Sequence, residues 1–272
     1  MQMTPGQNPP ELLPDVQHIV AVSSGKGGVG KSTVSVNLSV ALSRSGKAVG
    51  LLDADIYGPN IPMMMGVKEQ PEATDGKIIP LESHGVKLMS LGLIAGEDTP
   101  VIWRGPIVGK MIQQFLVDVA WGALDYLVVD LPPGTGDAQL TLAQTVPLGG
   151  ALIVTTPQKV ALEDVTRSVE MFRKVDVPIV GVIENMAYFV CPCCADRTPI
   201  FGEGGGQEIA DHFSIPLLGS IPLVPDIRES GDTGSPVACG DTEESRTFSE
   251  IAASTVEEVD RLDAPGPQIS IS

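Results

Sequence analysis

The sequence is short of several things, and each shortage removes a class of function. Basic residues are scarce: 17 Lys and Arg stand against 34 Asp and Glu, giving a formal charge of −17 over 272 residues. Such an acidic chain repels phosphate backbones and anionic lipid heads unless its cations cluster, so neither nucleic acid nor membrane is an expected partner. No apolar run approaches the roughly 18 residues that a membrane span needs. The first ten residues, M-Q-M-T-P-G-Q-N-P-P, carry neither the basic nor the apolar region of a secretory signal. Aromatics are only 4 % of the chain, so aromatic anchors are few. Cysteines number four, three of them between 191 and 194, which makes no disulfide framework. Such clustering points to metal or redox chemistry in a reducing compartment, and the cytoplasm is the expected location.

What is present fits a globular α/β protein. Hydrophobic residues make up 43 % and the length suits one large domain or two small ones. The 30 glycines and 23 prolines exceed average usage and announce many functional loops. Short, nearly continuous apolar runs at 18–23, 48–53, 86–91, 126–130, 151–155, 179–183 and 217–221 are bounded by turn residues. They predict strands covered on both faces, as in a doubly wound, mostly parallel sheet. Helical patterns intervene at 31–45, 106–119, 140–146, 162–175, 206–212 and 244–261. A single domain over 18–262 is expected, with a flexible lead-in at 1–17 and a fraying tail at 263–272.

Directly after the first predicted strand stands Gly25-Lys26-Gly27-Gly28-Val29-Gly30-Lys31-Ser32-Thr33, which fits G-x-x-x-x-G-K-S/T and opens a helix. Glycines let backbone N–H groups curl around phosphate oxygens, and a helix N-terminus adds partial positive charge. Lys31 would neutralise the β and γ oxygens and Ser32 would ligate Mg²⁺. Lys26 is a second lysine in the loop. It resembles the early lysine of the deviant Walker A class, K-G-G-x-G-K-S/T, in which that residue reaches across a dimer to the partner's nucleotide; the plainer reading is a solvated lysine.

Two acidic loops accompany this one. Asp53 and Asp55, in L-L-D-A-D-I-Y-G-P-N, end the second strand, where open α/β sheets place ligands. Asp130, in V-V-D-L-P-P-G-T-G-D, follows another apolar strand and reads as a Walker B carboxylate that holds Mg²⁺ through water. By resemblance to the deviant Walker ATPases, Asp55 would orient or deprotonate the attacking water, with Mg²⁺ contact as a further role, and Gly134 would sense the γ-phosphate. Asp53 and Asp137 fit turn formation or helix capping equally well.

Cys191-Pro192-Cys193-Cys194 follows the strand at 179–183. A C-x-x-C turn brings two sulfurs to one side, but a tetrahedral zinc or a [4Fe–4S] cluster wants four ligands. A two-fold dimer would present Cys191 and Cys194 twice. A zinc half-site, a dithiol redox pair and structural cysteines remain open from the spacing. Cys193 reads as a bystander or labile thiol, and Cys239 as a small buried hydrophobe.

Taken together, the P-loop, D-I-Y-G-P-N, W-R-G-P at 103–106, D-Y-L-V-V-D-L-P-P-G-T-G-D, T-T-P-Q at 155–158, E-N-M at 184–186 and the C-x-x-C resemble the Mrp/ApbC/NBP35 family of iron–sulfur cluster carrier ATPases. The resemblance covers about 18–255. It implies a P-loop ATPase fold and a homodimer that binds and hydrolyses ATP with Mg²⁺. It also implies a [4Fe–4S] cluster bridged by Cys191 and Cys194 of both copies, received from an upstream donor and delivered to apo iron–sulfur proteins. Asn185 matches the family position that hydrogen-bonds adenine, although an amide there would equally cap a loop. Arg104 reads as a helix-entry residue, and Met63 to Met65 as packing. Many bacterial members carry a small extra N-terminal domain, whose function is expected to be absent here or supplied in trans. Two rivals share the P-loop: a partitioning or division-site ATPase, which needs a basic surface where the last helix here is acidic, and an ATP-gated iron–sulfur reductase.

Overall fold

The computed structural model describes residues 13–55, 58–95, 105–158 and 160–264. Ile56 and Tyr57, Trp103 and Arg104, the Asp137 side chain, and the segments 1–12 and 265–272 lie outside the described residues. The chain runs β1 (Val16–Ser23), α1 (Lys31–Arg44), β2 (Val49–Asp53), α2 (Ile61–Met64), β3 (Ala73–Thr74), β4 (Lys77–Ile78), β5 (Leu81–Ser83), β6 (Val86–Ser90) and α3 (Leu91–Ala95). There follow α4 (Gly105–Asp118), β7 (Leu124–Asp130), α5 (Asp137–Thr145), β8 (Gly150–Thr155), α6 (Val160–Lys174) and β9 (Ile179–Glu184). The last part holds β10 (Phe189–Val190), β11 (Arg197–Thr198), α7 (Gly205–Phe213), β12 (Leu217–Ser220), α8 (Pro225–Thr233), a 3₁₀ turn at Val237–Cys239 and α9 (Glu243–Asp263).

Eight strands form one sheet in the order β12-β9-β8-β1-β7-β2-β6-β5. All pairs are parallel except the edge pair β5–β6. The seven expected strands are all there. β1 begins at Val16, ahead of the expected 18, with Leu13 already packed on the core. The edge strand β5, the hairpins β3–β4 and β10–β11, and helices α2, α3 and α8 are additional.

Strand alternation sorts the core into two layers. Val20 and Val22 of β1 join one cluster with Leu38 and Leu42 of α1 and Phe248 and Ile251 of α9. Ile19 and Ala21 join the other, with Phe115 of α4, Leu142 of α5 and Phe172 of α6. Each strand is thus apolar on both faces, the pattern of a parallel sheet sandwiched by helices. The central strand β1 pairs with β7 on one side and β8 on the other, so the loop after it emerges at a topological switch point.

Helix α1 is buried on nearly every side, including its polar residues. Each polar group has a partner: Asn37 accepts from the Ala238 N–H, Ser39 donates to the Ser35 carbonyl, and Ser35 faces the sheet end. A buried helix tolerates hydroxyls and amides only on those terms.

Candidate functional site

The phosphate loop hangs between β1 and α1. Gly30 takes a left-handed conformation (φ 81°, ψ 27°) as the N-cap of α1, and no side chain caps that end. The orphan N–H groups of the first turn are therefore available to an anion, with the helix dipole behind them. Gly30 has no alternative, since a Cβ there would fall 2.1 Å from Asn185 Nδ2. Gly25 is equally constrained, because its Cβ would meet the Asp164 backbone at 2.5 Å. Gly28 has φ 80° with open space beside it. A cavity of about 380 Å³ is lined by Gly27, Gly28, Lys31, Ser32, Asp55 and Asn60, among others. It shares Gly30, Thr33, Asn60 and Met64 with a second, of about 510 Å³, that extends to Asn185, Met186 and Leu223.

The structure brings the predicted charged residues together. Lys31 is buried, with Nζ 2.7 Å from Asp130 Oδ2 and 3.6 Å from Asp55 Oδ2. Asp130 is fully buried and accepts from Lys31, from Ser32 Oγ at 2.7 Å and from Ser35 Oγ at 2.6 Å. A carboxylate so enclosed is tolerable because a cation and two hydroxyls meet its oxygens. Ser32 Oγ, the expected Mg²⁺ ligand, is thus one hydrogen bond from the expected Walker B carboxylate.

Asp53 lies opposite Asp130 in the β2–β7 register. It is nearly inaccessible, accepts from Ser90 Oγ (2.9 Å) and the Asp55 N–H (3.1 Å), and anchors the turn that presents Asp55. Burial, reinforced by the charge of Asp130, pushes its carboxyl up to about 8. Asp53 is therefore a protonated structural acid near neutrality, in line with the turn-forming reading.

Three of the expected residues have partners within the chain. Lys26 neither extends into solvent nor away from its own chain: half-buried, it donates from Nζ to Gln158 Oε1 at 3.0 Å. Asn185 is tied to the phosphate loop, donating from Nδ2 to the Val29 carbonyl (2.8 Å) and accepting at Oδ1 from the Met186 N–H (3.0 Å). That is the loop-capping role, although a second amide proton and lone pair remain and the residue lines the larger cavity. Gly134 has φ 91° and its N–H is bonded to the Ser24 carbonyl at 2.9 Å, so in this conformation its amide is committed to the phosphate loop's base.

The cysteines sit on a hairpin at the surface. β10 and β11 pair antiparallel, the Cys191 N–H donates to the Asp196 carbonyl (3.0 Å), and the Ala195 N–H donates back to the Cys191 carbonyl (2.8 Å). The N–H groups of Cys193 and Cys194, then the Cys194 thiol, point at the Cys191 sulfur and hold it below the ordinary thiol range. Cys194 Sγ lies 3.2 Å from Asp196 Oδ2. Cys193 is exposed at the tip of the hairpin. Among the described residues no three His, Cys, Asp or Glu are grouped to hold a metal ion. The Arg197 guanidinium, 4.7 Å from the Tyr188 ring centroid and 3.4 Å from Glu243, ties it to α9. Cys239 lies on the 3₁₀ turn packed against α1 and α9. It is exposed at the surface, not buried as expected, although partial burial of its thiol pushes that group's pKa up.

Sequence reasoning missed Ser35, Ser90 and Gln158. Ser35 had a usable signal, one turn after Lys31 on the same helical face; the other two meet their partners across the fold and had none.

Comparison with known proteins accords with this geometry. The family model described as ParA, NUBPL iron-transfer P-loop NTPase, matches residues 15–257. An iron-sulfur cluster carrier protein of Aquifex aeolicus is 53 % identical over 245 residues, 88 % of this chain and 67 % of that one. The iron-sulfur cluster transfer protein NUBPL of Dictyostelium discoideum is 48 % identical over 250 residues, 90 % of this chain and 77 % of its own. Among solved structures, a nucleotide-binding protein of Archaeoglobus fulgidus in complex with ADP superposes with a TM-score of 0.74 at 41 % identity, covering 81 % of this chain and 88 % of its own. The cell division ATPase MinD of Pyrococcus furiosus, at 24 % identity and TM-score 0.65 over 90 % of this chain and 99 % of its own, shares the fold. The chain belongs to the ParA/NUBPL family of iron-transfer P-loop NTPases.

Proposed function

We propose that the chain binds and hydrolyses ATP and, as a homodimer, carries a [4Fe–4S] cluster on Cys191 and Cys194 of both copies for transfer to apo iron–sulfur proteins. The observation that carries this reading is the presence on one domain of an uncapped, glycine-lined helix N-terminus beside Lys31 and of a surface hairpin that carries Cys191 and Cys194. Relatives named as cluster carriers, and the ADP complex of the Archaeoglobus protein, support it.

Phosphate oxygens would lie against the N–H groups of residues 27–33, with Lys31 moving its charge from Asp130 toward the β and γ oxygens. Ser32, Asp130 through water, and Asp55 would hold Mg²⁺, whose charge would offset that of the phosphates. Asp55, at the cavity wall, would accept the proton of the attacking water. Gly134 would meet the γ-phosphate once its amide leaves Ser24, an ordering of the acidic loop by nucleotide. The larger cavity, with Asn185 at its wall, would take the base. The cluster is cargo: each copy supplies two thiolates, and a two-fold axis completes the four. An upstream donor supplies it in a reducing compartment, the cytoplasm, where four unpaired cysteines persist.

Lys31→Ala should lower phosphate release from Mg-ATP at least about a hundredfold with the circular dichroism spectrum unchanged. Hydrolysis at the wild-type rate would overturn the assignment. Following iron with a labelled cluster separates the carrier from a reductase, because a carrier gives its iron to the acceptor and a reductase keeps it.

A further inference from the structure

The segment between β8 and α6 is in contact with both halves of the proposed site. On one side, Lys26 Nζ donates to Gln158 Oε1 at 3.0 Å, and Gly25 lies so close to Asp164 of α6 that no side chain fits between them. On the other side, a Cβ on Gly205 would fall 2.6 Å from the Pro157 carbonyl oxygen, and one on Gly202 would fall 3.4 Å from it. Gly202 and Gly205 belong to the turn that leads from the cysteine hairpin into α7. The Gly206 N–H, next in line, donates to Glu184 Oε1 at 2.7 Å and fixes that turn to the end of β9. Residues 156–158 are thus wedged between the phosphate loop and the turn behind the cysteines. Within the wedge the Thr156 hydroxyl is buried and has no hydrogen-bond partner. A buried hydroxyl in that condition is a standing cost that a second packing of the segment would relieve.

We propose that Gln158 is a positioning residue that holds Lys26 against its own chain, and that the Thr156–Gln158 segment transmits the displacement of Lys26 by nucleotide phosphate to the glycine turn behind the cysteine hairpin. The inference rests on the nucleotide-binding reading above. A phosphate competes for the Lys26 ammonium with a much stronger acceptor than a carboxamide. Once Lys26 leaves, Gln158 loses its charge-assisted bond and the segment is free to repack. Because Gly205 leaves no room for a side chain against Pro157, a small shift there is passed on, not absorbed. The two arrangements, Lys26 on Gln158 or Lys26 on phosphate, are the discrete states that such coupling needs.

The test is hydrogen exchange of the cluster-free full chain, read at peptides covering 199–206, with and without saturating Mg-ADP or a slowly hydrolysed ATP analogue. Wild type, Lys26→Ala, Gln158→Leu, Gln158→Glu and the Lys26→Ala/Gln158→Leu double variant are compared, with nucleotide affinity measured for each. Nucleotide should change exchange at 199–206 by about threefold or more in wild type and in Gln158→Glu, which keeps an acceptor for Lys26. The response should vanish in Lys26→Ala and Gln158→Leu, and the double variant should be no different from either single one. Affinity of Gln158→Leu should stay within about threefold of wild type, which a merely unfolded segment would not allow. A full response in Gln158→Leu, or a wild type that binds nucleotide without any change at 199–206, would overturn the coupling and leave the nucleotide reading intact. Failure of wild type to bind nucleotide would remove both.

Discussion

Asp53 and Asp130 stand side by side on neighbouring strands, yet only one of them is met by a cation. Lys31, Ser32 and Ser35 converge on Asp130, whereas Asp53 has Ser90 and a backbone N–H. The uncompensated acid therefore keeps its proton, with its carboxyl pushed up to about 8 by burial and by the neighbouring charge. Between the ordinary carboxylate range near 4 and about 8, the folded chain holds a proton that the unfolded chain has released. Stability then falls as pH rises through that window. Asp53→Asn keeps an acceptor for Ser90 and Asp55 and removes the titration. Thermal melts of the nucleotide-free and Mg²⁺-free variant should lose most of the decline that wild type shows from about pH 6 to about pH 8. Parallel declines would contradict this account of Asp53. At this scale the P-loop residues were legible because their spacing is itself the chemistry. The Lys26–Gln158 bond was not, since it joins positions 132 residues apart and leaves no periodicity.

The elements were legible where burial dictates their composition. The six inner strands are mostly apolar runs because both faces are covered, and such runs stand out in any sequence. Strand β5 has only three residues, none fully buried, and α8, with the sequence PDIRESGDT, buries only Ile227. Neither offers a pattern to read, and α8 is started by Pro225 in its first turn and ended at Gly234. Helix α7 ends less favourably. Its C-cap Ser214 is exposed and left-handed, with φ 55° and ψ 46°, where a side chain crowds the backbone. Ser214→Gly should stabilise the protein by roughly 0.5–1 kcal/mol, seen as a melting temperature higher by about 2 °C with nucleotide affinity unchanged. An unchanged or lower melting temperature would show that the cap carries no strain.

For the whole molecule, the sheet explains why two distant motifs serve one site. The loops after β1, β2 and β7 all emerge at the carboxyl ends of adjacent parallel strands, which gathers Lys31, Asp55 and Asp130 from stretches far apart in sequence. The loop after β9 leaves from the same end, so Asn185 touches the phosphate loop while the cysteines a few residues on reach the surface. The family resemblance anticipated this pairing of a nucleotide site with a cysteine turn, but a C-x-x-C alone could not say how its sulfurs face. The hairpin keeps Cys191 and Cys194 on one surface turn, closed by the backbone bonds between Cys191 and residues 195 and 196.

The central claim is that two copies complete one cluster. Anaerobic reconstitution with iron and sulfide, followed by iron, sulfide and size-exclusion mass for wild type and for Cys191→Ala/Cys194→Ala, tests it directly. The account predicts about four irons and four sulfides per dimer in wild type, all lost from the double variant while its fold persists. Zinc bound without sulfide, or a double variant that loads iron and sulfide like wild type, would contradict it.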